Sequence, residues 1–202
     1  MSTAISSLIE QWKQAVTAKD VEKIVSFYAD DIVAFDAVSA LQFKGKVAYQ
    51  TLTALQQQQL NALEVHPEQL GFSGDIYCAL NTLLVNPNPG VAGFALLADE
   101  IPVAFLLLKR PPCLPHWAGE HSATLHALQV DRHRQGLGFG KACLQALPAA
   151  ARLVWPQIKA LELSVDTDNV AAMGLYLQQG WVDSGEAYKG RIGYERRLAW
   201  VF

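Results

Sequence analysis

Among its 202 residues the chain has only three cysteines and two methionines. Cys78, Cys113 and Cys143 are odd in number and far apart, which argues against a disulfide scaffold and a thiolate zinc site and leaves reduced, mostly buried thiols as the expectation. Charged residues make up only 17% and the formal net charge is -3, which argues against a nucleic-acid-binding surface. No apolar run approaches the roughly 18 residues of a membrane span. The opening residues 1–7 also lack the basic start and apolar core of a secretory signal, and a cytoplasmic globular chain is expected. His116, His121 and His126 are spaced five apart, which does not place ligands on one helical turn, so no metal site is expected. Internal repeats are absent too. Apolar residues are plentiful at 51%, enough for the core of one large domain or two small ones.

The most informative segment runs from Leu125 to Lys141, where an apolar strand ending at Val130 and Asp131 meets a turn carrying Gly136, Gly138 and Gly140. Glycines let successive backbone N–H groups converge, and the helix that follows adds free N-terminal donors and the positive end of its dipole. This is a cradle for phosphate. A dinucleotide-binding turn would read G-x-G-x-x-G with an acidic residue about 20 positions on, and the spacing here differs. A P-loop would follow Gly140-Lys141 with a hydroxyl for magnesium, but residue 142 is alanine.

A second segment lies downstream. Residues 161–165 read as a strand, residues 166–169 offer helix caps, residues 170–179 suit a helix, and Gly180 is placed to stop it. The turn Gln135-x-x-Gly138-x-Gly140 together with Val165, Asn169, Ala172, Tyr176, Gly180 and Trp181 resembles the GNAT family of N-acetyltransferases over about residues 60–202. That resemblance implies an α/β fold with a mixed, mostly antiparallel sheet whose central parallel strands splay apart to admit the pantetheine arm of acetyl-CoA. It implies that Leu128 and Val130 offer main-chain groups to pantetheine. Gln135, Gly136, Leu137, Gly138, Phe139, Gly140 and Lys141 would hold the pyrophosphate, while Asn169 and Ala172 line the second cofactor segment. Arg132 and Arg134 are further phosphate candidates.

The coarse order of elements is a strand at 60–65, helical material at 67–84, a turn at 86–90, a hairpin of 91–98 with 102–109 turning at Asp99-Glu100, strands at 123–130 and 161–165, and a closing pair at 181–188 and 195–202. Pro148 removes a donor inside the helix after the glycine turn and predicts a kink or stop near Leu147. Before residue 58 the pattern changes. Apolar spacing predicts amphipathic helices over 5–16 and 21–28, with strands at 32–35 and 41–45 and a third helix over 47–55. This order, with Tyr28-Ala29-Asp30-Asp31, Phe35-Asp36 and Gly45, resembles the opening of a nuclear-transport-factor-2-like (SnoaL-like) domain. Residues 1–57 are therefore expected as an added extension and 58–202 as the transferase domain. The extension's apolar faces suit a cap or a homodimer contact.

Acyl transfer from a thioester to an amine requires a held cosubstrate, a neutral amine and a proton for the departing thiolate. Tyr176 is the expected general acid, since a phenol with a reference pKa near 10 stays protonated at neutral pH. His126, mid-strand beside the slot, is the expected base, and Glu120 a lesser one. Phe72 and the stretch 185–197 resemble acetyltransferases of small amines and polyamines, and Glu68, Asp75 and Glu186 are candidates to attract an ammonium group. A protein or peptide acetyltransferase, and a catalytically idle acyl-CoA-binding module, are the alternatives.

Overall fold

Two apolar runs, Val91–Ala98 (β2) and Ile101–Lys109 (β3), form an interior hairpin of the sheet. Only Asp99 and Glu100 separate them, both at positive φ (49° and 64°), the backbone of the two-residue turn whose twist matches the strands it joins. Both strands are buried along nearly their whole length, as expected of strands covered on both faces.

The computed structural model describes residues 11, 14, 42–44, 52–85, 88–190 and 193–202. Contacts divide the chain into two compact units, Met1–Ala37 and Val38–Phe202. The helices expected over 5–16 and 21–28 and the strand at 32–35 lie outside the described residues, apart from isolated helical positions at Gln11 and Gln14. No helix among the described residues is long and apolar enough to cross a membrane.

Within the second unit the described strands form one seven-stranded sheet in the order β1-β2-β3-β4-β5-β7-β6. Its other members are Gln42–Lys44 (β1), Ser122–Val130 (β4), Ala160–Asp166 (β5), Val182–Lys189 (β6) and Tyr194–Val201 (β7). Helices Ala54–Asn61 (α1), Leu70–Ser73 (α2) and Ile76–Leu84 (α3) precede β2, Phe139–Val154 (α4) follows β4, and Val170–Gln178 (α5) follows β5. One core joins α4 and α5 to the sheet through Leu144, Leu147, Trp155, Leu161 and Leu163. A second core joins α1 and α3 through Leu60, Ile76, Leu80, Phe105 and Leu107.

All sheet neighbours are antiparallel except β4 and β5. That parallel pair is bonded only from Ser122 to Thr124 against Ala160 to Glu162. β4 remains on β3 and β5 on β7 beyond that point, so the strands part and their inner edges face a gap.

Three expectations are corrected. Residues 60–65 form no strand, because α1 extends through the glutamine run to Asn61. Thr53 Oγ1 accepts from Gln56 N at 3.2 Å while Gln56 Oε1 accepts from Thr53 N at 3.1 Å, a reciprocal cap that starts a helix. Gln56 also donates to the Glu100 carbonyl at 2.9 Å, fixing α1 on the β2–β3 turn. The expected strand over 41–45 appears as β1, but it lengthens the main sheet beside β2; residues 57 and 58, the expected boundary, fall inside α1, and the compact units divide after Ala37. Pro148 does not end its helix, which continues to Val154. Leu144, Leu147 and Ala151 are buried against the sheet, and this packing outweighs the lost backbone donor.

Restoring that donor should show in stability. Pro148→Ala is expected to raise the unfolding free energy by about 1–2 kcal/mol, less than the full interior proline penalty because alanine also frees the unfolded chain. Urea denaturation of both proteins measures the difference.

Candidate active site

At the end of β4 the chain turns through Gly136 and Gly138, at φ 76° and 87°, a backbone region that L side chains resist. Gly138 caps α4, and the first helical amide bonded back is that of Ala142, to the Gly138 carbonyl at 3.0 Å. The amides before it are the free donors of a helix N-terminus, positioned for an anion. Gly140 serves packing, since a Cβ there would meet Leu175 Cδ2 at 3.2 Å and press α4 away from α5. Arg134 and Lys141 line the same cleft. Arg132 is instead paired with Glu64 at 2.9 Å.

The cleft has a volume of about 680 Å³ and joins this turn to the gap between β4 and β5. Leu128, Val130, Gln135, Phe139, Asn169 and Ala172 all border it, as do His126 and Tyr176. Leu137 does not: its side chain stands 64% exposed at the turn. Gln135 is engaged within the protein, exchanging hydrogen bonds with the Gln69 amide (2.8 and 3.1 Å) and donating to the Val130 carbonyl at 3.0 Å. This clasp ties the glycine turn to the segment before α2. Asn169 caps α5 by accepting from Ala172 N at 3.2 Å.

β4 carries a bulge where Phe105 pairs with Gln129 but Leu107 pairs with His126, and Ala127 there has φ 48°. Such an extra residue re-aims neighbouring side chains and backbone groups. His126 Nε2 lies 2.8 Å from Thr124 Oγ1, whose hydroxyl is 3.4 Å from the Lys109 carbonyl. In the tautomer with hydrogen on Nε2, Thr124 donates onward to Lys109 and His126 Nδ1 is left as an acceptor. Burial, followed by the Lys109 charge, pushes the imidazole down to about 4, so the ring is neutral at pH 7. Tyr176 is 8% exposed, packed 5.8 Å from the Trp181 ring. Burial first, then the neighbouring Cys143, drives its phenol well above the usual range, which keeps it protonated.

Other sequence candidates fall elsewhere. Glu68 and Glu120 are exposed and do not border the cleft. Asp75 accepts from Cys78 N at 2.7 Å as the cap of α3. The side chain of Glu186 lies outside the described residues. Cys143 is buried as expected, but Cys78 is exposed on α3, and among the described residues no group of His, Cys, Asp and Glu is arranged for a metal. The cleft also takes in Gln69, Trp117 and Asp166, which carry no recognisable spacing, while Tyr188 and Glu195 lie within the 185–197 stretch already singled out.

Residues 63–181 match the sequence pattern of the family described as Acetyltransferase (GNAT) family. The chain belongs to that family. Among named relatives, the uncharacterized N-acetyltransferase YbbJ of Bacillus subtilis (strain 168) is 26% identical over 100 residues, which are 48% of this chain and 62% of that protein; the match therefore spans less than two thirds of the relative. Among solved structures, the GNAT domain of S. lividans PAT superposes with a TM-score of 0.59 at 16% identity, over 80% of this chain and 90% of that one. The spermidine N-acetyltransferase of Vibrio cholerae, determined with CoA and spermine, gives 0.55 at 16% identity over 80% and 95%. At such identities the likeness is one of fold, and it includes the mixed sheet anticipated from the sequence.

The depressed imidazole makes a pH prediction. Above pH 6.5 His126 is neutral in both the folded and the unfolded chain. Between 6.5 and about 4 the unfolded ring takes a proton that the folded ring refuses, so stability falls as the pH falls through that window. At pH 5 the loss should be about 1–2 kcal/mol, allowing for the ring's partial exposure. Urea unfolding at pH 7 and pH 5 should show the wild type losing that much more than His126→Gln; equal losses would remove His126 from the titration.

Proposed function

We propose that the chain transfers the acetyl group of acetyl-CoA directly to a primary amine on a small molecule. The observation that carries this reading is that one cleft contains both the glycine turn and the parted edges of β4 and β5, with Tyr176 on its wall. An anion at the helix N-terminus and amide groups along an unpaired strand edge are the two needs of a phosphopantetheine chain. The volume suits a small ligand, within the range of about 300–1,000 Å³ for such pockets, and the fold neighbour from Vibrio cholerae was determined with a polyamine and CoA.

Acetyl-CoA supplies the thioester: the amine nitrogen forms a bond to its carbonyl carbon, the C–S bond breaks, and one proton passes from nitrogen to sulfur. The amides at the start of α4 hold the diphosphate, and the free edges of β4 and β5 hold the arm in line. Neutral His126, through Nδ1, accepts a hydrogen bond from the attacking amine directly or by way of water; its lowered pKa makes it a weak base, so it orients the amine and the proton passes on instead of resting on the ring. Tyr176 donates a hydrogen bond toward the sulfur. Its raised pKa makes complete transfer from the phenol uphill against a thiol of reference pKa near 8.5, so it acts by stabilising the developing thiolate while the amine's proton completes the reaction.

Tyr176→Phe should therefore lower kcat by about 10²-fold while leaving the acetyl-CoA-induced rise in Tm intact. Thiol release with a panel of primary amines and a thermal-shift titration measure both quantities. Wild-type turnover in the variant would remove Tyr176 from the mechanism. Absence of both thiol release and any thermal shift in the wild type would overturn the proposed function.

A further inference from the structure

We propose that the acceptor end of this cleft binds a second, non-reacting ammonium group between Asp166, Glu195 and the Trp117–Tyr188 ring pair, so that the preferred acceptor is an aliphatic diamine or longer polyamine. This rests on the acetyl-transfer reading. Asp166 closes β5 and sits directly opposite Glu195 of β7, so two carboxylates share one face of neighbouring strands, an arrangement that is destabilising when nothing cationic lies between them. Two other carboxylates of this part of the sheet have cations of their own: Glu162 pairs with Arg197 at 3.2 Å and Asp183 with Arg196 at 2.6 Å.

Asp166 differs from them. The residue is only 7% exposed. Its Oδ1 accepts from Asp168 N at 2.8 Å, whereas its buried Oδ2 has no hydrogen-bond partner among the described residues. A buried carboxylate without a full set of donors is costly, and a ligand cation held beside it in the cleft offsets that cost through its charge. Glu195 Oε2 accepts from Tyr188 OH at 2.7 Å, which fixes the tyrosine ring, and Trp117 stacks on that ring at 5.9 Å and 26°. All four residues border the cleft. Carboxylates beside aromatic faces are a receptor for an alkylammonium ion.

Such surroundings do not suit the amine that reacts, because adjacent anions favour the charged, non-nucleophilic form. They suit a distal ammonium that stays charged and positions its partner. A monoamine of the same chain length lacks that group.

With acetyl-CoA held saturating, kcat/KM for 1,4-diaminobutane should exceed that for 1-aminobutane by about 10- to 100-fold, the worth of a charged hydrogen bond. Asp166→Asn retains an acceptor for Asp168 N and should bring the ratio close to one; Glu195→Gln, at a less buried position, should lower it in the same direction. Equal kcat/KM for the two amines in the wild type would overturn the inference while leaving the transfer reading intact. A parallel loss on both amines in each variant, with the ratio unchanged, would assign these carboxylates to proton transfer or folding and also overturn it. No thiol release with any amine and no acetyl-CoA thermal shift would overturn the transfer reading and the inference together.

Discussion

The hydrogen bonds between β4 and β5 stop at Thr124 and Glu162, although both strands continue for several residues. Every amide and carbonyl left on those inner edges needs a partner from outside the sheet, since an unpaired buried backbone group costs free energy comparable to a lost hydrogen bond. The parting is held by what lies on either side. β4 remains bonded to β3 as far as Val130, and β5 remains bonded to β7 as far as Asp166. The bulge at Ala127 adds local bending to β4. A gap with free peptide groups on both walls is thus fixed by the neighbouring strands.

Two cores support the sheet on either side of this gap. The core beneath α4 and α5 packs Leu144, Leu147, Trp155 and Leu163 against the sheet. It also buries Tyr176 next to Cys143, and the same desolvation that keeps the phenol protonated limits it to hydrogen-bond donation. On the opposite face, Gln129 donates to the Ser73 carbonyl at 3.3 Å and Gln135 clasps Gln69. These bonds place the α2 segment, with Phe72, against the cleft. Short polar contacts between distant parts of the chain therefore tie the glycine turn and β4 to the α2 segment.

Legibility in the sequence followed the range of the interactions involved. The β2–β3 hairpin was readable because its turn and its apolar runs are local. The glycine turn and the Asn169 cap were readable for the same reason, each set by a few adjacent residues. Residues 60–65 misled because their apolar content resembles a strand, whereas the Thr53–Gln56 cap starts a helix that runs into them. Pro148 misled because its cost is offset by burial across about two helical turns, a tertiary effect. Asp166 and Glu195 are 29 positions apart and meet only through the β5–β7 register. Gln69 and Gln135 meet only because the segment before α2 folds over the glycine turn. No spacing rule in a single chain reports either pair.

Amide hydrogen exchange followed by mass spectrometry, with and without acetyl-CoA, tests most directly whether the unpaired strand edges and the glycine turn form one binding slot. The account predicts slower exchange on acetyl-CoA addition in 125–130 and 136–141, with 91–98 in the already paired β2 unchanged. Unaltered exchange in both of those segments at saturating acetyl-CoA, or protection confined to other parts of the chain, would contradict it.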